Sequence, residues 1–500
     1  MIDNQKEIKN KVLGCWYGKN IGGTLGAPFE WRRQINNVSF YTQDLGGKAL
    51  PNDDLDIQLL WLIALEERKL NVNTRDLAYY FSIFVTPHWG EYGTAKTNMK
   101  LGIESPRCGL ENNEYRQSCG SYIRSEIWAC IAAGTPELAV RYMMADSQID
   151  HGGKSEGTYA AAMVAAMESA AFVESDVNKL IEIGLSYIPA DCDITKVTRL
   201  VQECYAKGMP YLEARDEVLR QYRGAPFSYD DGRKIVVLCD ERDREMGFAD
   251  GKKGYDVVDN FGIIMIGLLY GQGDFGKTLC YAVNCGEDTD CTAATLGSML
   301  GIIYGYKKIP TEWIRPIGSQ ISTLCLNHGE IEGMVPKTVD ELTDRTMRLM
   351  AMSDAINGLN LSKDAGKADL ICPDFVKQKI YENADRVVYD FKFFDIAVEY
   401  PEGQFLKGNE GKVCIRIENK FRVTENLSYR WFVEDGFTVN SKEGVLYIAR
   451  NTYGESVCEL QFTLTAEEGV KLKNHFVFEL NVEGRASAMT VPVLFLKGKD

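Results

Sequence analysis

Two short acidic segments carry the side chains of this sequence that are best suited to chemistry. The first is Asn52-Asp53-Asp54-Leu55-Asp56 and the second is Glu287-Asp288-Thr289-Asp290-Cys291. Each precedes an apolar run with helical spacing, and each contributes three carboxylates. Like charges at this density repel one another unless a cation lies among them. Oxygen ligands of this kind suit Mg²⁺, Mn²⁺ or Ca²⁺ better than Zn²⁺, and two facing clusters would hold two ions about 3.5–4 Å apart.

Helix capping is the competing explanation for each segment taken alone. Asn52 is a favoured N-cap residue, and acidic residues in the first turn complement the helix dipole. Asp288 or Asp290 would cap the second helix in the same way. Two caps need fewer acids than the two segments supply, so the pair of segments favours a metal site.

A glycine-rich stretch, Gly271 to Thr278, satisfies the spacing of a phosphate-binding loop. Such a loop binds phosphate through backbone N–H groups and a lysine, between a strand and a helix. The surrounding sequence shows no alternation of strands and helices that would build a parallel sheet. A turn between two packed helices is therefore the favoured interpretation, and a nucleotide triphosphatase is kept as an alternative function.

Several polar residues interrupt apolar segments between the two acidic clusters. Arg124 and Glu126 lie in an apolar helical run, where a buried ion pair is the alternative to a substrate contact. Asp146 lies near the only histidine of this region, and Asn98 follows a stretch rich in aromatic residues. We take these four residues as candidate substrate-binding residues.

Four motifs of this sequence together resemble the ADP-ribosylglycohydrolase family, which includes the dinitrogenase-reductase-activating glycohydrolases. They are the glycine-spaced helix that ends at Glu30, the segment Asn52-Asp53-Asp54, the segment Asp150-His151-Gly152, and the segment Asp288-Thr289-Asp290-Cys291. The motifs occur in the family's order, and the resemblance extends over residues 8–320.

The resemblance implies an all-α fold that holds one or two Mg²⁺ ions, with Mn²⁺ as an alternative. It implies a metal-dependent hydrolase that cleaves the C1 glycosidic bond of an ADP-ribosyl or related ribosyl or furanosyl compound. Glu30 and Asp54 are the implied catalytic residues, and His151 would line the substrate site. The implied metal ligands are Asn52, Asp53, Asp54, Asp288, Asp290 and Thr292.

Three positions depart from the family pattern. Asn52 and Cys291 stand where the family has hydroxyl residues, and Gly23 stands where an acidic residue is common. Because thiol sulfur is a poor ligand for Mg²⁺, Thr292 is the candidate to replace the hydroxyl that Cys291 lacks. A non-catalytic protein that binds ADP-ribose or another sugar is therefore a further alternative.

The elements that must position these residues change in character near residue 390. Before it, apolar residues recur at helical spacing in long segments rich in Ala and Gly; after it, short alternating segments predict about seven strands. We therefore expect a large all-α catalytic domain over residues 1–388 and a small all-β, Ig-like sandwich over residues 389–500. In the first helix, Gly14, Gly18, Gly22 and Gly26 are spaced for close contact with another helix.

Composition excludes several classes of protein. The formal net charge of −15 argues against binding to nucleic acid or to an anionic membrane surface. No run of eighteen apolar residues predicts a spanning helix, and the N-terminus lacks the apolar core of a signal peptide. The fourteen cysteines include no C-x-x-C pair, which favours reduced thiols and a cytoplasmic protein. The expected partner is a small-molecule glycoside or an ADP-ribosylated substrate.

Overall fold

Helices make up most of the chain as far as Tyr381, and antiparallel strands make up most of the remainder, as predicted. The computed structural model describes residues 2–225, 228–230, 235–358, 370–452, 456–467 and 470–498. The α-helices within these ranges are α1 (Ile2–Gly26), α2 (Asp53–Arg68), α3 (Thr74–Phe84), α4 (Gly90–Leu101), α5 (Arg107–Leu110), α6 (Glu126–Ile131), α7 (Pro136–Ser147), α8 (Glu156–Ala171), α9 (Val177–Ser186), α10 (Asp193–Ala206), α11 (Tyr211–Tyr222), α12 (Glu241–Glu245), α13 (Asp256–Tyr270), α14 (Phe275–Asn284), α15 (Thr289–Tyr304), α16 (Thr311–Ile314), α17 (Val339–Asn357) and α18 (Asp374–Tyr381).

The strands form one small hairpin within the helical region and two larger sheets after it. The strands are β1 (Ser228–Asp230), β2 (Ile235–Val237), β3 (Val387–Asp390), β4 (Phe394–Glu399), β5 (Glu410–Asn419), β6 (Glu425–Phe432), β7 (Phe437–Val439), β8 (Glu443–Ile448), β9 (Val457–Ala466), β10 (Lys473–Val482) and β11 (Ala488–Leu496). The β1–β2 hairpin was not predicted, since its three-residue strands are too short for the alternation of apolar and polar residues to be recognised.

The glycine-spaced face of α1 packs directly on the backbone of α15. A Cβ atom placed on Gly18 would lie 1.9 Å from the carbonyl oxygen of Gly297, and one on Gly22 would lie 2.0 Å from that of Ala293. These distances are far below van der Waals contact, so any side chain at either glycine would push the helices apart. The small residues of both helices therefore fix the position of the start of α15, where Asp288 and Asp290 lie.

Helix α2 begins as its sequence predicts. The Asn52 side chain accepts a hydrogen bond of 2.8 Å from the backbone N–H of Asp54, and Asp53, Asp54 and Asp56 occupy the first turn. The helix is then buried almost without interruption from Asp54 to Leu65, including Trp61. Burial on all sides holds the acidic first turn in one place.

The chain divides into two compact units. The first comprises Met1–Thr94 and Asn113–Tyr381, and the second comprises Ala95–Asn112 and Glu382–Asp500. The segment from Ala95 to Asn112 belongs to the second unit because its apolar side chains pack on β11, where Ile103 and Cys108 share a cluster with Leu494 and Leu496. The domain limit between residues 388 and 389 stays a prediction.

Within the second unit, two antiparallel sheets enclose a common apolar core. One sheet has the order β11-β10-β6-β8 and the other has the order β3-β4-β5-β9-β7. Trp431 of the first sheet is fully buried and contacts the ring of Phe462 of the second, with the ring centroids 5.1 Å apart. Two sheets that share one core form a sandwich, which confirms the predicted architecture of this region.

Helices of the described residues are all too short or too polar to cross a membrane. The fourteen cysteines are free thiols, and twelve of them are buried; the other two, Cys239 and Cys458, are partly exposed.

Candidate metal centre and active site

The start of α15 holds carboxylates that have no donor to satisfy them. Asp288 and Asp290 are 1% and 5% exposed. Among the described residues, no hydrogen-bond donor reaches either carboxylate oxygen of Asp288 or Oδ1 of Asp290. Burial, together with the neighbouring carboxylates, raises the pKa of both groups above the usual range. Buried carboxylates without donors are costly unless a cation binds to them, so these residues fit a metal ion.

The two acidic segments face each other, as the sequence predicted for a shared site. Ligand atoms of Glu30, Asp288 and Asp290 all lie within 4.8 Å of one another, and so do those of Asp54, Asp290 and Cys291. We refer to these as the oxygen triad and the thiol triad. Asp290 belongs to both, so a single carboxylate connects the two sets of ligands.

Two of the six predicted carboxylates are occupied elsewhere. Asp56 Oδ2 accepts the backbone N–H groups of Leu324 at 2.7 Å and Cys325 at 2.8 Å, which fixes that loop against α2. Glu287 forms a bidentate pair with the buried guanidinium of Arg33, at 2.6 and 2.8 Å. This leaves four carboxylates of the two segments, Asp53, Asp54, Asp288 and Asp290, for a metal.

Lys19 is a buried cation inside the site that the sequence analysis did not identify. Its Nζ lies 3.2 Å from Asp54 Oδ2 and 2.8 Å from Glu126 Oε1, and it donates to the carbonyl of Ile123 at 2.6 Å. Burial opposes the charge, but Asp54 and Glu126 outweigh it and raise the lysine pKa above its ordinary value. A lysine in the glycine-rich face of a buried helix was the available signal.

The departures at positions 23 and 52 are structurally linked. Asn52 Nδ2 donates to Asp290 Oδ2 at 3.2 Å, and a Cβ atom placed on Gly23 would lie 2.5 Å from that nitrogen. An acidic side chain at position 23 would therefore displace the Asn52 amide. The Asn52 oxygen, which was the predicted metal ligand, accepts the N-cap hydrogen bond from Asp54.

The remaining predicted ligands differ in their placement. Asp53 is half-buried, and its Oδ2 accepts a long hydrogen bond of 3.4 Å from the Tyr92 hydroxyl. The Thr292 hydroxyl bonds to the carbonyl of Thr289 at 3.3 Å, within its own helix. Cys291 Sγ lies 3.4 Å from Asp54 Oδ1. At the position where the sequence departs from the family, a sulfur atom therefore faces a carboxylate.

Glu30 lies where the oxygen triad meets a cleft. The cleft has a volume of about 610 Å³ and is lined by Ala27, Pro28, Glu30, Arg32, Gln34, Leu238, Cys239 and Asp240. Burial, and then the charges of Asp290, Asp53 and Asp54, raise the pKa of Glu30 to about 9. A carboxyl group that keeps its proton near neutral pH, at the edge of a cleft of ligand-binding size, is suited to proton transfer.

Three of the candidate substrate-binding residues form one buried network. The Arg124 guanidinium donates to Asp146 Oδ1 at 2.8 Å and to both oxygens of Asp150 at 2.8 and 2.9 Å. His151 Nδ1 lies 2.8 Å from Asp150 Oδ1, and Trp128 donates to Asp146 Oδ2. Arg124, Asp146 and His151 are all fully buried, so a direct contact with substrate stays a prediction.

Glu126 and Asn98 also have protein partners. Glu126 is fully buried, and besides Lys19 it accepts hydrogen bonds from Gln58 at 2.6 Å and from Ser298 at 2.9 Å. The Asn98 amide donates to the backbone carbonyls of Cys108 at 2.8 Å and Glu111 at 2.7 Å, within the second unit. A substrate-binding role for either residue likewise stays a prediction.

The phosphate-loop spacing at Gly271–Thr278 occurs between two helices. The apolar run before it is helix α13 rather than a strand, and Asp274 caps α14 by accepting a hydrogen bond of 2.7 Å from the backbone N–H of Lys277. The Lys277 ammonium lies over the ring of Tyr281, 5.2 Å from its centroid. A phosphate loop needs a strand before it, so the structure gives the triphosphatase alternative no support.

Comparison with known proteins agrees with the geometry of the helical unit. No curated protein matches the chain. Among solved structures, the FixG-related protein from Vibrio parahaemolyticus is 14% identical, with 21% of this chain and 97% of that chain covered and a TM-score of 0.19, which carries no argument about fold or function. A model of the ADP-ribosylglycohydrolase family matches residues 4–352. The chain therefore belongs to the ADP-ribosylglycohydrolase family of glycosyl hydrolases.

Proposed function

We propose that the protein is a metal-dependent glycoside hydrolase that cleaves the C1 glycosidic bond of an ADP-ribosyl compound or a related ribosyl or furanosyl compound. The observation that carries the proposal is the set of buried carboxylate oxygens of Asp288 and Asp290 that lack donors, beside Glu30 and a cleft. One or two Mg²⁺ ions are the proposed cofactor, with Mn²⁺ as an alternative, because carboxylate oxygens suit these ions.

The residues that would hold the ions are Asp54, Asp288 and Asp290, with Asp53 half-buried at the start of α2. A cation bound there would supply positive charge to orient vicinal hydroxyl groups of the sugar and to favour ionisation of water. Lys19 holds Asp54 Oδ2 and leaves Oδ1 on the side of the thiol triad. The orientation of this carboxylate is therefore set before any ligand binds.

Glu30 and Asp54 have different tasks in the proposed reaction. Glu30 retains a proton near neutral pH, so its carboxyl group can donate that proton to the leaving group as the glycosidic bond breaks. Bond cleavage leaves positive charge on the sugar ring, and a nearby negative carboxylate stabilises it. Asp54 is suited to this second task because the Lys19 ammonium favours its ionised form.

The proposed substrate is a small-molecule glycoside or an ADP-ribosylated molecule, since the cleft of about 610 Å³ has the volume of a small-ligand site. The free thiols favour a reducing compartment, and we propose the cytoplasm.

Hydrolysis of a panel of ADP-ribosyl and ribofuranosyl glycosides, with and without EDTA, tests the proposal. We expect release of the free sugar that EDTA abolishes and Mg²⁺ or Mn²⁺ restores. Asp288→Asn should lower the rate at least 100-fold. Asp340→Asn is the matched control, because Asp340 also lies in the first turn of a helix but is exposed, and it should leave the rate unchanged.

Two results would contradict the proposal. Hydrolysis that persists in EDTA at the full rate would remove the metal from the reaction. Ligand-dependent thermal stabilisation without any product on the whole panel would instead favour a non-catalytic sugar-binding protein.

A further inference from the structure

The two ligand triads that meet at Asp290 differ in their chemistry. The oxygen triad, Glu30, Asp288 and Asp290, offers carboxylate oxygens alone. The thiol triad replaces one of these oxygens with the Sγ atom of Cys291. Hard cations such as Mg²⁺ prefer oxygen, whereas a thiolate selects softer ions such as Zn²⁺. The two positions are therefore built for different metals.

The contacts of Asp54 direct one of its oxygens toward the sulfur. Asp54 is fully buried, and Lys19 Nζ lies 3.2 Å from its Oδ2. The other oxygen, Oδ1, lies 3.4 Å from Cys291 Sγ. Because the ammonium neutralises one side of the carboxylate, the side that faces Cys291 is left to share a single cation.

Asp290 supplies an independent indication of a ligand at this point. Its Oδ2 accepts a hydrogen bond of 3.2 Å from the Asn52 amide, which fixes the carboxylate plane. Its Oδ1 is buried, and no donor among the described parts of the chain reaches it. An oxygen so placed costs free energy unless a cation binds to it, and Cys291 and Asp54 provide the other two ligands within 4.8 Å.

We propose that the position between Asp54, Asp290 and Cys291 binds a thiophilic divalent cation of the Zn²⁺ class, while the oxygen triad binds Mg²⁺. The inference rests on the proposed metal centre and specifies which ion each half of it takes. On binding, the S–H bond of Cys291 breaks, a metal–sulfur bond forms, and the proton passes to solvent. Asp290 would then contact both ions, one through each triad.

Cobalt(II) is the probe that tests this directly, because a Co²⁺–thiolate bond gives a charge-transfer absorption band in the near ultraviolet. We expect one equivalent of Co²⁺, added to the EDTA-treated full-length protein, to produce this band. Zn²⁺ should displace it, and a large excess of Mg²⁺ should not. Since these measurements use the unmodified protein, the absence of the band would by itself overturn the inference.

Variants then assign the sulfur. Cys291→Ser should abolish the band and weaken Zn²⁺ binding, measured by calorimetry, at least tenfold. Cys280→Ser is the matched control, because Cys280 is also buried in a helix but lies outside both triads, and it should retain the band. A band that persists in Cys291→Ser would overturn the inference.

The fate of the proposed function is read separately. Mg²⁺-dependent hydrolysis in a protein that shows no thiolate band would overturn the assignment of Cys291 and leave the hydrolase proposal intact. A Cys291-dependent band in a protein without any hydrolytic activity would support the assignment and contradict the proposed catalysis.

Discussion

Replacing Lys19 with methionine tests whether the centre depends on a built-in cation. The substitution keeps the length of the side chain and removes its charge. In the native protein the Lys19 ammonium contacts Asp54 at 3.2 Å and Glu126 at 2.8 Å, and all three side chains are 2% exposed or less. Lys19→Met therefore leaves two buried carboxylates without their cation.

The expected cost follows from this burial. Breaking a buried ion pair by removing one partner destabilises a protein by about 3–5 kcal/mol, because the remaining charge stays out of water. Lys9→Met provides the matched control in the same helix. Lys9 pairs with Asp344 at 2.6 Å, but both side chains are about half exposed, so its loss should cost about 0–1 kcal/mol.

Urea unfolding followed by helical circular dichroism, with EDTA present, measures the difference. We expect Lys19→Met to lower the unfolding free energy by at least 3 kcal/mol more than Lys9→Met does. Adding Asp54→Asn to Lys19→Met should recover part of the loss, since one uncompensated carboxylate becomes neutral. Equal costs for the two lysine variants would refute the reasoning, because Lys19 would then contribute no more than a surface charge.

Three further predictions concern packing, pH and the glycine-rich turn. Gly18→Ala should destabilise the protein by about 1–3 kcal/mol in urea unfolding, since its Cβ would lie 1.9 Å from a backbone oxygen, whereas Gly333→Ala, which has open space, should not; equal effects would contradict the helix contact. The raised pKa values of Glu30, about 9, and Asp54, about 7, keep protons in the folded state that the unfolded chain loses near pH 4.5. Stability without metal should therefore fall as pH rises from about 4.5 to about 9, and thermal stabilisation by Mg²⁺ should be larger at pH 8 than at pH 5; the reverse order would contradict these shifts. Lys277→Ala should leave sugar release and metal binding unchanged, because Lys277 packs on Tyr281 outside the centre; loss of either would reopen the phosphate-loop alternative.

The location of the centre could be predicted from the sequence because it depends on local signals. Asn52 and the acids after it show both an N-cap and an excess of charge, and the same excess recurs at Asp288 and Asp290. The two-part architecture was equally accessible, since helical and strand periodicities are properties of short segments.

The partners of individual carboxylates could not be predicted, since they come from distant parts of the chain. Asp56 resembles Asp54 in sequence, but the N–H groups that it accepts belong to Leu324 and Cys325. The contact of Lys19 with Glu126 depends on how α1 packs against α6. The same holds for Ala95–Asn112, which joins the second unit through contacts with β11.

The most direct test of the central claim is an anomalous difference map from crystals of the protein grown with Mn²⁺. We predict at least one strong peak within coordination distance of Asp288 and Asp290, and its loss in Asp288→Asn. A map without a peak at these carboxylates, at a Mn²⁺ concentration that supports hydrolysis, would contradict a metal centre at the starts of α2 and α15.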